Sequence, residues 1–364
     1  MKERRKRNMS RTGLLFLFCL LMLCGCAQIT GFMENTEVSG REVESLAAEK
    51  EDDTVLLGGM PVGIYMETDG VLVLDTEKMT GVDGKEYTPA QGVVSSGDYI
   101  TEVNHQKIEG KKQLMDLVEH LDGEKVLLTV RRENTILEKK LTPVQISKGN
   151  YRLGIWVRDN VQGLGTITFL TKNNRFAALG HGIHDIDTST LLTIKRGTLY
   201  RTSIQKVQKG SKGNPGTMEG IIVYNRFHRL GVIEKNTDAG IYGELNSDRS
   251  WIGEEVPIQV AKKEEIKTGE ARIRCYIDGE VKEYTICITQ IDKESDQVNK
   301  GMVIQVTDTE LLEKTGGIIQ GMSGSPIIQN GKLIGAVTHV FVQDSTKVYL
   351  SLIHISEPTR LALI

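Results

Sequence analysis

The sequence has no excess of charge of one sign, few cysteines and few segments with helical periodicity. Its 364 residues carry a formal net charge of −3, so the chain lacks the basic surplus that is typical of nucleic-acid-binding proteins. It has instead abundant glycine and many short β-branched runs separated by Gly, Asn and Asp. This pattern predicts a mainly β protein, and the length suggests two domains.

The cysteines do not form a disulfide framework. Of the five, three lie in the first 26 residues, and Cys275 and Cys287 lie in the stretch RIRCYIDGEVKEYTICI. That stretch predicts a hairpin that turns at residues 278–279 and places Cys275 opposite residue 282. At about 3.3 Å per residue along a strand, Cys287 is then too far from Cys275 for a disulfide. We expect both to be free strand residues that are buried.

No set of side chains makes a convincing metal site. The best candidates lie in HGIHDID, which contains His181, His184, Asp185 and Asp187. A histidine pair three residues apart needs a helix, which GHGIHD does not indicate, and no His-Glu-x-x-His helix or cysteine pair accompanies it. We therefore expect neither a metal nor another cofactor.

Residues 1–28 have the layout of an export signal. MKERRKRNMSR is basic, TGLLFLFCLLMLC is apolar but short for a membrane span, and small residues follow. LCGC resembles a bacterial lipobox in which Cys26 is the lipidated residue, and an uncleaved membrane anchor is the equal alternative. In either case we expect the bulk of the chain outside the cytoplasm, membrane-associated or released. Residues 29–53 read as a polar stalk or linker.

Residues 54–146 resemble a PDZ domain. A strand of the form GD-x-I-x-x-V-N precedes an amphipathic helix that starts near Lys111 and places Leu114, Leu117, Val118 and Leu121 on one face. The resemblance implies that a peptide, from a ligand or from the chain itself, adds as a strand to a sheet edge, while a glycine-containing loop holds its carboxylate. GGMPVG is the candidate loop, although its proline removes one N–H donor. The predicted peptide-binding residues are Gly59, Met60, Val62 and Gly63.

Residues 150–349 contain many short, closely spaced strands, which predict a β-barrel or sandwich. Near their end, GMSGSP resembles the G-D-S-G-G-P nucleophile loop of chymotrypsin-like serine proteases. Ser323 is then the nucleophile, and the N–H groups of Gly321 and Ser323 are the oxyanion donors. Ser325 is a second candidate outside the Gly-x-Ser-Gly register. On the hexapeptide alone, a polar turn before an Asn-Gly hairpin explains the pattern equally well.

A histidine earlier in the chain should supply the base. His181 follows a run of small residues in RFAALGHGIHD and resembles the strand-end histidine of these proteases. His184 lacks the small flanking residues, and His339 is better explained as a packed strand or cleft residue. For the acid, Asp238 has the spacing from His181 that suits a shared barrel, whereas Asp308 lies at a strand end shortly before Ser323.

Together, the PDZ-like unit, ALGHGI and GMSGSPIIQNGKLIGAVTHVFV resemble the SpoIVB peptidase family of endospore-forming Firmicutes over roughly residues 55–349. The resemblance implies a chymotrypsin-like double β-barrel serine peptidase with nucleophile Ser323, base His181 and acid Asp308, in place of the alternative acid Asp238. It also implies a role in sporulation on the forespore side of the intermembrane space. There the peptidase cleaves a membrane-bound inhibitory partner, which frees an intramembrane protease to process a mother-cell sigma factor.

The last residues depart from the family pattern. LSLIHISEPTR, within residues 350–364, resembles a translated sequencing adapter. We therefore expect this tail to be non-native and the closing strand of the barrel to be missing, which would leave an exposed sheet edge. The competing function is a non-catalytic PDZ adaptor, whose second β domain keeps the shape of the loop but not the chemistry.

Overall fold

The computed structural model describes residues 54–293, 300–340 and 345–352. The expected export segment with Cys26, the stalk at 29–53 and the tail from residue 353 lie outside the described residues. Within the described ranges, no helix combines the length and the apolar character that a membrane crossing requires.

The regular structure of the described chain is mainly β, and turns at glycine and asparagine join many of its strands. The strands are β1 (Thr54–Leu57), β2 (Pro61–Thr76), β3 (Met79–Thr80), β4 (Glu86–Tyr87), β5 (Tyr99–Val103), β6 (Gln106–Lys107), β7 (Val126–Arg132), β8 (Thr135–Leu141), β9 (Val144–Ser147), β10 (Asn150–Arg152), β11 (Ile155–Thr166), β12 (Phe169–Leu170), β13 (Arg175–Leu179), β14 (Ile194–Tyr200), β15 (Thr202–Gln208), β16 (Thr217–Ile222), β17 (Arg229–Thr237), β18 (Gly240–Leu245), β19 (Pro257–Val260), β20 (Gly269–Ile277), β21 (Glu280–Ile291), β22 (Met302–Val306), β23 (Pro326–Gln329), β24 (Lys332–Val340) and β25 (Lys347–Leu352). The helices are α1 (Lys111–Glu119) and α2 (Thr309–Thr315), with a single 3-10 turn at Lys263–Glu265.

The C-terminal strands form a closed six-stranded barrel. They pair in the order β20, β21, β22, β25, β24 and β23, and β23 pairs back to β20. Side chains at alternate positions fill the core, as in β20, where Ala271, Ile273, Cys275 and Ile277 are buried. In the β20–β21 hairpin, Cys275 pairs with Lys282, which confirms the predicted register. Both Cys275 and Cys287 are free thiols.

The closing strand of this barrel is present, contrary to our expectation. Strand β25 pairs with β22 on one side and with β24 on the other. Val348, Leu350 and Leu352 are fully buried, because apolar residues at every second position match the inward face of the barrel. Residues 350–352, which we placed in the non-native tail, therefore belong to the barrel strand.

A second sheet forms the core of the other half of the peptidase region. Its strands pair in the order β11, β2, β14, β17, β18, β13, β12 and β1. Met60, Val62, Ile64 and Met66 contribute to its core. A separate apolar cluster that includes Leu179 of this sheet and Ile328 of the closed barrel joins the two halves. The mainly β, double-barrel fold class is thus confirmed.

The PDZ-like unit is inserted between the two long strands β2 and β11. The distal parts of these strands pair with each other from Leu72 to Thr76 and from Ile155 to Arg158, and β5, β7 and β8 extend the sheet. Helix α1 packs on this core through Leu114, as its apolar spacing predicted. Residues 54–68 pair with peptidase strands instead, because β2 is one continuous strand that serves both cores.

Candidate active site

The Ser323 loop lies in the seam between the two barrels. It connects α2 to β23 of the closed barrel, and the carbonyl of Ser323 accepts a hydrogen bond from the N–H of Thr166 at the end of β11 (3.0 Å). Gly324 has a φ of 93°, and a Cβ placed on it would lie 2.1 Å from the Thr166 carbonyl oxygen. Only glycine fits at this position, because both the dihedral and the close approach exclude a side chain.

Thr168 connects the Ser323 loop to the strand that carries the candidate base. Its hydroxyl donates to the carbonyl of Gly324 (2.6 Å) and accepts from the N–H of Leu179 (2.9 Å). Leu179 is the last residue of β13, and the Thr168 side chain is completely buried. One buried hydroxyl therefore sets the spacing between the residue after Ser323 and the end of β13. Sequence analysis missed this threonine, since nothing in the pattern of β12 distinguishes it.

His181 follows β13 directly after Gly180, the residue that the Ser323 hydroxyl approaches. A Cβ built on the preceding residue, Gly180, would lie 2.7 Å from Ser323 Oγ, so this hydroxyl packs against the His181 segment. The Nδ1 of His181 lies 2.8 Å from the Gly182 carbonyl oxygen. Because a carbonyl can only accept, this contact places the proton on Nδ1 and leaves the lone pair on Nε2. Nε2 is the atom that a general base would use.

The loop also presents two backbone donors. In the part of the chain that the structure describes, the N–H groups of Met322, Gly324 and Ser325 donate to backbone carbonyls, whereas those of Gly321 and Ser323 have no acceptor. These two are the predicted oxyanion donors. Ser325 is fully buried, whereas Ser323 is only partly buried. A substrate can therefore reach Ser323 but not the second candidate.

The two candidate acids lie in different surroundings. The carboxylate of Asp308 accepts hydrogen bonds from the N–H of Leu311 (3.1 Å) and the N–H of Thr285 (3.2 Å), and it caps the N-terminus of α2. The structure does not bring Asp308 into hydrogen-bond contact with His181. Asp238 lies in the β17–β18 turn, whose carbonyls at 238 and 239 accept from the N–H groups of Gly182 (3.3 Å) and Gly180 (3.0 Å). The Asp238 turn is therefore hydrogen-bonded to both sequence neighbours of His181.

The residues weighed for a metal site make other contacts. His184 Nδ1 also approaches the Gly182 carbonyl oxygen (3.0 Å), and Asp185 and Asp187 both pair with Arg158. Over residues 54–293, 300–340 and 345–352, no cluster of three or more His, Cys, Asp or Glu side chains could hold a metal.

The predicted carboxylate-binding loop of the PDZ-like unit does not lie in that unit. The N–H groups of Gly58 and Gly59 donate to the carbonyls of Thr168 (2.9 Å) and Ile167 (2.7 Å). Met60 and Val62 are buried in the barrel core, and Gly63 packs against a peptidase-domain isoleucine. The segment is a barrel connection, because its donors and its apolar side chains are already used there.

A groove of the expected kind lies instead between α1 and the first residues of β11. It has a volume of about 550 Å³ and is lined by Leu114, Met115 and Val118 from the helix, by residues 155–157 from the strand and by the two residues that precede the strand. In the described residues β11 pairs with β2 alone at this level, which leaves its other edge open toward the groove. Trp156 and Met115 are exposed here. The signal in the sequence was RLGIWV, in which a glycine precedes an apolar strand in the same way as in GGMPVG.

Comparison with known proteins decides the family. The family model for SpoIVB peptidase S55 matches residues 149–356, more than half of the chain. The chain belongs to the SpoIVB peptidase S55 family. The matched range of this SpoIVB-family chain contains both the His181 segment and the Ser323 loop.

More distant likenesses accompany the family match. A Helicobacter pylori (strain J99) protein named "Putative zinc metalloprotease" is 28% identical over 180 residues, which is 43% of this chain and 50% of that protein. The chain thus spans about half the length of this curated relative. The active form of the Rv3671c protease from M. tuberculosis is 16% identical over 54% of this chain and 72% of its own, with a TM-score of 0.32. A PDZ domain from a Listeria monocytogenes SdrC-like protein is 24% identical over 24% of this chain and 87% of its own, with a TM-score of 0.20.

Proposed function

We propose that Ser323 is the nucleophile and His181 the general base of this serine endopeptidase. The observation that carries the proposal is the approach of Ser323 Oγ to the Gly180–His181 segment across the seam between the barrels. Two further features support it, namely the His181 tautomer that carries its proton on Nδ1 and, in the described residues, the N–H groups of Gly321 and Ser323 that donate to no backbone carbonyl.

The reaction follows from these positions. Ser323 Oγ forms a bond to the substrate carbonyl carbon while its proton moves to His181 Nε2, and the Gly321 and Ser323 N–H groups bind the developing oxyanion. The C–N bond then breaks, and His181 returns the proton to the leaving amine. A water molecule next attacks the acyl-enzyme and gives its proton to His181. When the bond to Ser323 Oγ breaks, that proton returns to the serine.

We assign the acidic role to Asp238 rather than to Asp308. The Asp308 carboxylate accepts from the N–H of Leu311 in the first turn of α2, which is a capping role, and from the N–H of Thr285 in β21 of the closed barrel. The turn of Asp238 is hydrogen-bonded to both sequence neighbours of His181. We infer that the Asp238 carboxylate stabilises the imidazolium that forms on His181 during the reaction. This assignment restores the choice that spacing along the chain favoured.

Family membership supports a wider role, which we propose for this chain as well. The peptidase acts in sporulation signalling outside the cytoplasm, on the forespore side of the intermembrane space. Its N-terminal segment either attaches it to the membrane or is cleaved, which releases the protein. Its substrate is a membrane-bound inhibitory partner of an intramembrane protease that processes a mother-cell sigma factor. A peptide ligand or a segment of the chain itself occupies the groove between α1 and β11 as an added strand.

A fluorophosphonate probe applied to the full chain tests the nucleophile. We expect rapid labelling of the wild type and of Ser325→Ala, which alters a buried serine, and no labelling of Ser323→Ala. Labelling that persists in Ser323→Ala would show that Ser323 is not the nucleophile. Well-folded wild-type protein that neither labels nor cleaves would favour the adaptor function. For the wider role, the chain should restore sigma-factor processing to a sporulating strain that lacks its own enzyme, and Ser323→Ala should not.

A further inference from the structure

A buried ion pair joins the groove strand to the loop that starts at His181. Strand β11 leaves the groove at Val157, and the next residue, Arg158, donates to the carboxylates of Asp185 and of Asp187 (2.8 Å to the latter). The Asp185 side chain is completely buried, whereas half of the Asp187 side chain is exposed. Removing the guanidinium would leave the Asp185 carboxylate buried without its counter-charge, an arrangement that proteins rarely tolerate.

Asp185 in turn organises the loop between His181 and β14. Its Oδ1 accepts from the N–H groups of Asp187 (3.0 Å) and Thr188 (2.9 Å). Its backbone N–H donates to the Thr190 carbonyl (3.0 Å), and its carbonyl accepts from Ser189 (2.8 Å). The middle of this loop, residues 185–190, is therefore organised by one carboxylate whose counter-charge is Arg158, whereas Asn236 bonds Ile183 and Leu192 near the ends of the loop.

The same loop packs on the PDZ-like unit. Ile183 and Leu192 form an apolar cluster with Leu72 and Tyr99 at the base of the inserted unit. The Tyr99 hydroxyl accepts from the N–H of Thr193 (3.2 Å). The loop thus lies between the inserted unit and the peptidase barrel, and its packed residue Ile183 is only two positions after His181 in the sequence.

Strand β11 also holds the other wall of the groove. Asp159, next to Arg158, accepts from the N–H of Lys111 at the N-terminus of α1 (2.8 Å). We propose that Arg158 is a positioning residue for His181, and that a peptide lying along residues 155–157 acts on His181 through Arg158 and Asp185. The peptide orders β11, β11 fixes the guanidinium, and the guanidinium fixes the loop. This inference rests on the proposed role of His181.

Variants of the full chain test the positioning. The matched control is Arg132→Gln, which removes the partner of another buried carboxylate, Asp98, inside the PDZ-like unit (2.7 Å). We expect Arg158→Gln to slow fluorophosphonate labelling about tenfold or more, the size of effect expected when a reacting group is misplaced. Arg158→Lys should regain part of that rate, because an ammonium restores the charge but not both contacts. Arg132→Gln should label at nearly the wild-type rate. Equal rates for Arg158→Gln and Arg132→Gln would overturn the proposal.

Hydrogen exchange separates this inference from the proposed function, because it needs no catalysis. Arg158→Gln should speed exchange across residues 182–193, and Arg132→Gln should not. A pool of random hexapeptides with free C-termini should protect residues 155–157 in both wild type and Arg158→Gln, but protect residues 182–193 only in the wild type. Protection of residues 182–193 in both proteins would overturn the coupling through Arg158. A lack of protection at residues 155–157 in the wild type would overturn the proposal that the peptide binds in the groove. If the wild type does not label at all but shows this exchange pattern, the proposed function fails and the link through Arg158 stands.

Discussion

Thr168→Val removes one hydroxyl from the seam of the active site and changes little else. Valine keeps the branched shape of threonine, so the core around β12 stays filled. What is lost are the two hydrogen bonds to the Gly324 carbonyl (2.6 Å) and the Leu179 N–H (2.9 Å). One of these groups follows Ser323 directly and the other lies two residues before His181.

The magnitude follows from the two backbone groups that lose their partner. Each buried, unsatisfied donor or acceptor costs about 1–3 kcal/mol, so the folded state should be destabilised by about 2–6 kcal/mol. That is a large part of the roughly 5–15 kcal/mol that separates folded from unfolded domains. Because the bonds also set the distance between the proposed nucleophile and base, a displacement of about 1 Å should lower the labelling rate about 100-fold.

Two measurements and one control decide the outcome. Urea unfolding followed by circular dichroism reports the stability, and fluorophosphonate labelling of Ser323 at low urea reports the geometry. Thr168→Ser keeps the hydroxyl and loses one methyl group, so it should cost about 1 kcal/mol and label at nearly the wild-type rate. If folded Thr168→Val labels as fast as Thr168→Ser, the hydroxyl does not set the spacing between the two catalytic segments.

Three further predictions follow from the described contacts. Asp238→Asn should lower the labelling rate by at least about 100-fold, as expected for loss of the acid that orients a catalytic histidine, whereas Asp308→Ala should mainly lower stability by about 1–2 kcal/mol through loss of the helix cap. Gly180→Ala should abolish labelling, because φ is 128° there and the added Cβ would lie 2.7 Å from the Ser323 hydroxyl. Burial raises the pKa of the Cys275 thiol to about 12, so iodoacetamide at pH 8 should modify Cys287 and leave Cys275 unmodified until urea unfolds the protein.

Each of these predictions has a control or an outcome that contradicts it. For the acids, loss of labelling in Asp308→Ala with full labelling in Asp238→Asn would return the role to Asp308. For Gly180, the matched variant is Gly279→Ala, which also has a positive φ (93°) but no atom within 4 Å of the added Cβ, and it should remain active. For the thiols, mass spectrometry of the native protein identifies the modified residue, and early modification of Cys275 would show that the closed barrel opens readily.

Local patterns predicted the local structure well. The pairing of Cys275 with Lys282 follows from a turn at Asp278-Gly279, since a two-residue turn fixes the register of both strands. The helix at Lys111–Glu119 follows from its apolar spacing. Errors arose where a local pattern had two possible environments. GGMPVG and RLGIWV both combine glycine with an apolar run, and only the pairing of β2 and β11 shows which of them borders the groove.

The sequence alone determined the family, the mainly β fold, and Ser323 and His181 as candidates, because turn residues, alternating apolar positions and glycines beside a reactive side chain are local signals. The tertiary structure decided what depends on contacts between distant segments. It places the PDZ-like unit between β2 and β11, closes the C-terminal six-stranded barrel with residues 347–352, and gives Asp308 a capping role. It also joined Arg158 to Asp185. These pairings depend on which cores the strands share, and a strand's sequence specifies its buried face but not its neighbour.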